Sequence, residues 1–565
     1  MTASTPLLDR RRILSEIEAD PDFDALIVGG GIAGAATLRD LSAQGLRCLL
    51  IERSDFASGA SGALTRVAQG GFRYLEKGEL GLVKRASNER NLFVAAAPHQ
   101  TRLLRIVLPS EDWLGGAATA ALRAFGLAEG HSLPGAVILR AAVALYETLA
   151  RETRLLPRGG MFSRAALARR YPGVSPRYRA AVYEYEALIA SPERIAIELI
   201  EDAVAQGSGS VALNYAEARP VAHRLVIGDR VSGVETFARV KVVVNAAGAS
   251  ANQVARVFGI EAKIVDGVAG THLLLRAPEV AAALGDDLLF FEDGDPDPGR
   301  RRLCCVYAIG DNVLLGPTET PVADADASRP TAAEDDYLLA ALRHLFPQAR
   351  VDAGDILGRL HGVRPLVAAG GDDLTGRSRD HAIYVHAGDG GRTLVSIVGG
   401  KWTTFRTIAA DAADAVLVAL ARPRRVSTGR LPIGGGRDFP RDANERARAV
   451  LGLAARFGIE VAAAERLIAT YGSRAERVAA YLASPEGSAP IADGRLTLGE
   501  VRFFAHEEMA TNAEDVARRR SRLFIEGAAT REALEEIARA LESVSSASAA
   551  PASPLARSFE HVSLG

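Results

Sequence analysis

From Asp24 onward the chain runs in short blocks of apolar and polar residues. Ala25–Val28 is an apolar run that ends in glycines, and it reads as a buried strand. Ile32 to Gln44 follows with helical spacing and small residues on its near face. Leu46 to Ile51 is a second apolar run, closing on Glu52. Strand, turn, helix and strand within about 30 residues predict a βαβ unit with a parallel sheet. Ahead of it, residues 1–21 form a polar extension. There Leu7, Leu8, Ile13, Leu14 and Ile17 fall on one face of a short helix. That face predicts packing on the body, with a weak membrane-surface contact as the alternative.

Further along, residues 55–110 are mixed, with a Ser/Gly/Ala-rich loop and then a helix near Leu80–Ala97. Residues 134–206 read as mostly helical, broken at Pro157, Gly159, Gly160 and Pro172. Residues 211–248 predict short strands ending in Val242–Val244. Residues 262–320 predict more, among them His272–Arg276 and Asn312–Leu315. A helix is predicted over 332–346, and two strands over 381–398. Prolines and glycines make 422–441 a linker candidate. Residues 22–421 are then one body of interleaved cofactor and substrate domains. Beyond the linker, Ala, Glu, Arg and Leu recur at helical spacing, predicting a helical domain over 442–543. The Ser/Ala/Pro-rich segment 544–565 is expected to be disordered.

Composition narrows the class. A chain of 565 residues, 48% hydrophobic and 24% charged, is globular and long enough for two or three domains. A formal net charge of -2 gives no global attraction to nucleic acid or acidic lipid. Cys48, Cys304 and Cys305 offer neither a disulfide framework nor metal-ligand spacing. A reducing, cytoplasmic compartment and no metal are therefore expected. Arg10, Arg11 and Arg12 lead into no apolar run of signal-peptide length. No stretch approaches the roughly 18 apolar residues of a membrane span.

The glycines carry the first chemistry. Gly29, Gly31 and Gly34 form G-x-G-x-x-G, with Gly30 inside it, between a strand and a helix. Such a turn lets backbone approach a pyrophosphate at a helix N-terminus. Glu52, with Arg53 beside it, ends the next strand and suits an unphosphorylated ribose. Two later turns share this small-residue character. One follows Val242–Val244, at Asn245, Ala246, Ala247 and Gly248. The other is Gly399, Gly400, Lys401, Trp402, Thr403 and Thr404. Three such turns spread over some 370 residues favour FAD over NAD, in a Rossmann-like domain with a large insertion.

Several runs are more specific. They are Gly70-Gly71-Phe72-Arg73-Tyr74-Leu75-Glu76, Gly270-Thr271-His272, Gly362-Val363-Arg364-Pro365-Leu366, and Gly399 to Arg406. Tyr471-Gly472-Ser473-Arg474, Glu508-Met509 and Arg518 to Leu523 continue the series. With these, the chain resembles the FAD-dependent glycerol-3-phosphate dehydrogenases and oxidases from about residue 22 to about residue 540. The resemblance implies an α/β fold: a Rossmann-like FAD domain, an inserted mixed-sheet substrate domain and an all-helical C-terminal domain. It implies oxidation of sn-glycerol 3-phosphate at C2, hydride passing to flavin N5 and electrons to quinone or another acceptor. In this reading His272 is the base, and Arg364 and Lys401 act at the reacting centre. Arg73, Tyr74, Arg364 and Lys401 bind the substrate. Ser61, Thr65, Gly399, Gly400, Lys401 and Thr403 join the glycines, Glu52, Arg53, Ala247 and Gly248 in holding FAD. A phosphate needs clustered cations, which suits this set. His361 is a rival to His272. The arginine run 518–522 reads as a solvated helix face.

The chain departs from the family at three places. Gln69 stands where a histidine is usual. The loop Ser58–Arg66 trades several hydroxyls for Gly, Ala and Leu. Ser191-Pro192 replaces an aspartate pair ahead of Arg194. These leave open a related polyol phosphate, a 2-hydroxy acid or an amino acid as substrate, and a non-catalytic flavoprotein sensor or scaffold. The resemblance also admits peripheral contact with the inner face of the cell membrane. The helical domain is read either as a contact between copies in a homo-oligomer or as a cap.

Overall fold

The computed structural model describes residues 6–72, 75, 79–115, 133–149, 155–297, 300–368 and 380–547. Its first sheet grows from the apolar runs. The strands are β1 (Asp22–Val28), β2 (Cys48–Glu52), β3 (Val211–Asn214), β4 (Glu235–Asn245), β5 (His381–Ala387) and β6 (Thr393–Gly399), in the spatial order β5-β6-β4-β1-β2-β3. Along this path all neighbours are parallel except β5 and β6, while the start of β4 also pairs, antiparallel, with the hairpin Ala216–Asp229. Ile27 pairs with Leu50 on one side and Val244 on the other, so β1 is covered on both edges. Helix α2 (Ile32–Ala43) returns the chain from β1 to β2. The chain leaves β1 toward β2 on one side and comes back as β4 and β6 on the other. The crevice at the C-terminal ends of such strands is where ligands bind in open α/β sheets.

The second sheet belongs to the insertion. Val265–Arg276 forms a long antiparallel ribbon with Ile356–Val367. The sheet continues through Asn312–Gly316, Leu303–Ile309, Asp287–Glu292, Thr101–Ser110 and Ala180–Ile189. Apolar residues fill both of its faces, under the helix Ala332–Leu345 on one and the helix Ala136–Leu149 on the other. The expectation of a mostly helical stretch over 134–206 is corrected here. Ala180–Ile189 is a strand paired along its length with Thr101–Ser110. Its two buried acids, Glu184 and Glu186, interrupt the apolar signature a central strand usually carries.

The C-terminal domain is helical, as expected, with its own core of Leu467, Tyr471, Val478, Val501, Phe504 and Ile537 among others. The segment before it lies along α2: Thr428 Oγ1 and Arg424 NH1 both donate to Asp40 at 2.8 Å. At the other end, α1 (Arg10–Ala19) is capped by the Asp9 side chain. It buries Leu8, Ile13 and Ile17 completely, so the packing reading of its apolar face holds. Among the described residues, no helix is long and apolar enough to cross a membrane. Of the segment 544–565, residues 544–547 are helical rather than disordered, because the helix Arg531–Ala547 runs on through the buried Val544, and residues from 548 on lie outside the described residues.

Candidate active site

The glycine turn has the shape its spacing predicts. Gly29 sits at φ +116, and a Cβ there would lie 2.5 Å from the Ala246 carbonyl oxygen. A Cβ at Gly34 would lie 1.9 Å from the Gly29 carbonyl oxygen. Both positions exclude a side chain, and the cradle so formed opens at the N-terminus of α2. Glu52 accepts from Gly30 N at 2.8 Å and from Ser54 N at 2.9 Å. Burial raises its carboxyl above the usual range, against the pull of those N–H groups and Arg53. Ala246 N donates to Val28 O at 2.9 Å, which brings Ala247 and Gly248 beside the turn. Gly399 and Gly400, at positive φ, end β6, the strand next to β4. The three turns separated in sequence therefore meet at one crevice. A closely approached backbone, a helix N-terminus and an acid at the end of β2 fit a dinucleotide with a free ribose.

The loop after Glu52 joins this turn to the ribbon. Ser61 Oγ accepts from Ile32 N, at the first turn of α2, at 2.9 Å. Four residues on, Thr65 Oγ1 lies 2.9 Å from His272 Nε2. The retained hydroxyls of the altered loop are thus the ones that bridge cofactor turn and insertion. The register of the ribbon then sorts the candidate residues. His272 pairs with Leu360, Gly270 with Gly362, and Val268 with Arg364. Positions two apart share a face, so His272 and Arg364 project on the same side. The glycine pair between them leaves the ribbon bare, and a Cβ at Gly362 would meet Ala63. Thr271 and His361 project on the opposite side, bonded to each other at 2.9 Å. The rival His361 therefore lies across the ribbon from His272.

His272 is 1% exposed, and its Nδ1 is buried without a hydrogen-bond partner in the structure. Burial, with the positive charges of Arg364 and Arg66 adding to it, pushes its pKa down to about 3. Arg364 NH1 donates to Glu319 at 2.8 Å, and both side chains are about one-third exposed. Lys401 is half-buried at the start of the turn Trp402–Thr404, where its carbonyl accepts from Thr404. Thr403 Oγ1 accepts from Gln69 N at 3.1 Å, which ties the β6 turn to the segment before Gly70. Arg53 points out to Asp326 and Ser250. Arg73 and Tyr74 lie outside the described residues.

Sequence reading missed a support beneath this segment. Glu186 Oε1 accepts from Gly70 N at 2.9 Å and from the Tyr146 hydroxyl at 2.7 Å, and Arg90 NH1 donates to both Glu186 and Tyr146 at 2.7 Å. Two acids at alternate positions of an otherwise apolar stretch were the available signal. The run 518–522 also needs correction. Arg520 is fully buried and Arg519 mostly so, both paired with Asp55, so the middle of the run is a domain junction, while Arg518 and Arg522 keep the exposure of a solvated face. Arg194 pairs there with Glu508, and Ser191 caps the helix Pro192–Ala205 that presents it.

Comparison with known proteins agrees with this geometry. Residues 24–406 match the family described as FAD dependent oxidoreductase. Residues 426–551 match the C-terminal domain of alpha-glycerophosphate oxidase. The chain is 28% identical to a glycerol-3-phosphate dehydrogenase of Synechocystis sp. over 525 residues, 88% of each chain. It is 28% identical to the mitochondrial enzyme of that name from Arabidopsis thaliana, over 96% of this chain and 86% of the relative. The Homo sapiens mitochondrial enzyme is also 28% identical, over 94% and 71%. The solved structure of the glycerol-3-phosphate dehydrogenase from Bacillus halodurans complexed with FAD shares the fold, with TM-score 0.69 and 23% identity over 95% of this chain and 97% of that one. Matched across both sheets and built around the turn such a cofactor requires, the chain belongs to the FAD dependent oxidoreductase family.

Proposed function

We propose that the protein is an FAD-dependent glycerol-3-phosphate dehydrogenase, oxidising the C2 hydroxyl of sn-glycerol 3-phosphate to the ketone of dihydroxyacetone phosphate. The observation that carries this reading is the ribbon face. It presents an imidazole and a guanidinium on one side, with two glycines between them and the cofactor loop laid against it. The relatives' names support the same substrate. FAD, when bound, takes up the hydride that leaves the alcohol carbon.

The remaining work falls to the chain. Arg364 binds the phosphate through a planar fork of N–H donors, and Glu319 sets the orientation of that fork. Lys401 adds a second positive charge from the β6 turn, and Arg73 and Tyr74 complete the substrate contacts. His272 accepts the hydroxyl proton. Its lowered pKa keeps it neutral at physiological pH, and its burial makes a lasting imidazolium costly, so the proton on Nε2 is handed to the Thr65 hydroxyl 2.9 Å away, which gives up its own. The electrons then go to quinone at a membrane surface. The helix Ala136–Leu149 supports this, because Val137 and Leu145 stand about half exposed, with Trp113 and Leu114 beside its first turn. Peripheral contact on the inner face of the cell membrane, in a cytoplasmic protein, follows from that reading.

The test is flavin bleaching without oxygen. Adding sn-glycerol 3-phosphate should bleach the wild-type flavin. Arg364→Ala should keep its flavin spectrum and need about tenfold to a hundredfold more substrate, the cost of one charge-assisted contact. Bleaching by hydroxy or amino acids but no phosphorylated polyol would sink the assignment. Bleaching by none of them would favour a flavoprotein sensor or scaffold.

A further inference from the structure

Asp55 is a fully buried carboxylate three residues past Glu52, and its partners come from the far end of the chain. Arg520 donates to it twice, NH1 to Oδ2 at 2.7 Å and NH2 to Oδ1 at 2.9 Å, and Arg519 Nε also donates to Oδ2. Asn214 Nδ2 donates to Oδ1 at 2.8 Å and also to the Met509 carbonyl at 3.0 Å. The residues around Asp55 bear directly on the cofactor turn. Phe56 is fully buried, and a Cβ at Gly30 would meet its ring at 2.8 Å. Ala57 N donates to Gly30 O at 3.0 Å, and Ser54 N donates to Glu52. Ala57 does this at φ +58, a left-handed conformation that disfavours any residue with a Cβ. A loop held in that shape depends on its surroundings to stay there.

The same loop has a second grip from the same domain. Tyr215 N donates to Ser54 O at 2.8 Å. The Tyr215 hydroxyl donates to Asp515 at 2.7 Å and accepts from Asn512 at 2.9 Å. Bonds therefore run from Met509–Arg520 through Asn214, Tyr215 and Asp55 to the backbone of Gly30. Buried charges stabilise a junction only when every partner is in place, so this docking is close to all-or-none.

We propose that the C-terminal helical domain retains the cofactor: Arg519 and Arg520, seated on Asp55, are positioning residues that hold the loop Arg53–Ala57 against the dinucleotide turn. FAD affinity then depends on the docking of residues more than 460 positions away in sequence. By linkage, bound FAD tightens the docking in return. The inference rests on FAD binding and is independent of the substrate.

The test follows FAD release from the holoenzyme by the recovery of free-flavin fluorescence on dilution. Arg519→Gln should release FAD about tenfold faster, the loss of its charge-assisted bond to Asp55, and Asp55→Asn, which removes the charge that Arg519 and Arg520 share, should release it faster still. Arg519→Lys should restore most of the wild-type rate. The control is Arg466→Gln, which breaks a pair with Glu500 lying wholly inside the C-terminal domain. It should lower the melting temperature and leave FAD release unchanged. Wild-type release rates in Arg519→Gln and Asp55→Asn would overturn the proposal, as would an equal acceleration in Arg466→Gln. A second measurement needs no variant: hydrogen exchange over Val516–Leu523 should slow when FAD is bound, and equal exchange with and without FAD would also overturn it.

Discussion

Burial at His272 removes water from both ring nitrogens, and the ring sits near two guanidinium groups. The sign of the consequence is set by linkage. Its folded pKa, about 3, lies below the unfolded value near 6.5, so the unfolded chain takes up the proton first. His272 therefore costs nothing above about pH 6.5, and below it the folded state loses about 1.4 kcal/mol per pH unit until the folded pKa is reached. His272→Asn should lose less stability than wild type between pH 7 and pH 5, measured by urea unfolding of both proteins at each pH. Parallel acid dependence in the two would mean that the imidazole is not held neutral. This position was legible because a histidine behind a small turn is conspicuous. Its isolation from His361 was not, because that depends on strand register.

At the scale of elements, the turn between β1 and α2 is under the tightest steric constraint. Gly34 lies in the first turn of α2, where an alanine would normally raise helix stability. Here the added methyl would drive the helix away from the Gly29 carbonyl. Gly34→Ala should yield a protein with little retained FAD and a melting temperature lower by several degrees, the effect of overpacking by about 1–3 kcal/mol. A purified variant with full flavin absorbance would refute this reading of the turn. The turn was readable from spacing alone because glycine is needed at fixed offsets. Ala180–Ile189 was not, because Glu186 is held inside the sheet by Arg90 and Tyr146, residues far away in sequence.

For the whole molecule, the open question with a direct test is how the electrons leave. The exposed side of the helix Ala136–Leu149 carries Val137, Ala141, Ala144 and Leu145, next to Trp113 and Leu114. Wild-type protein should float with vesicles of anionic phospholipid containing a quinone, and consume little oxygen in detergent-free buffer. Val137→Asp with Leu145→Asp should weaken vesicle binding by roughly tenfold or more, since each half-exposed side chain offers about 1 kcal/mol of burial. Both positions are exposed, so the fold should be unaffected. A wild type that stays off vesicles and consumes one oxygen per substrate would point to an oxidase instead.

By itself, the sequence determined what is local: the βαβ unit, the glycine turn, the acid of β2, the helical C-terminal domain, and the motif runs that mark the family. Each is written in neighbouring residues through periodicity or a steric demand. Tertiary structure alone decided which of those pieces meet. It brought three turns from across the chain to one crevice, since parallel strands adjacent in a sheet are distant in sequence. It put His272 and Arg364 on one face and His361 on the other, since a strand alternates its sides. It drew Arg519 and Arg520 out of an apparent solvated face into a buried junction, since a charge is stable inside a protein only beside partners such as Asp55 that no local pattern reveals.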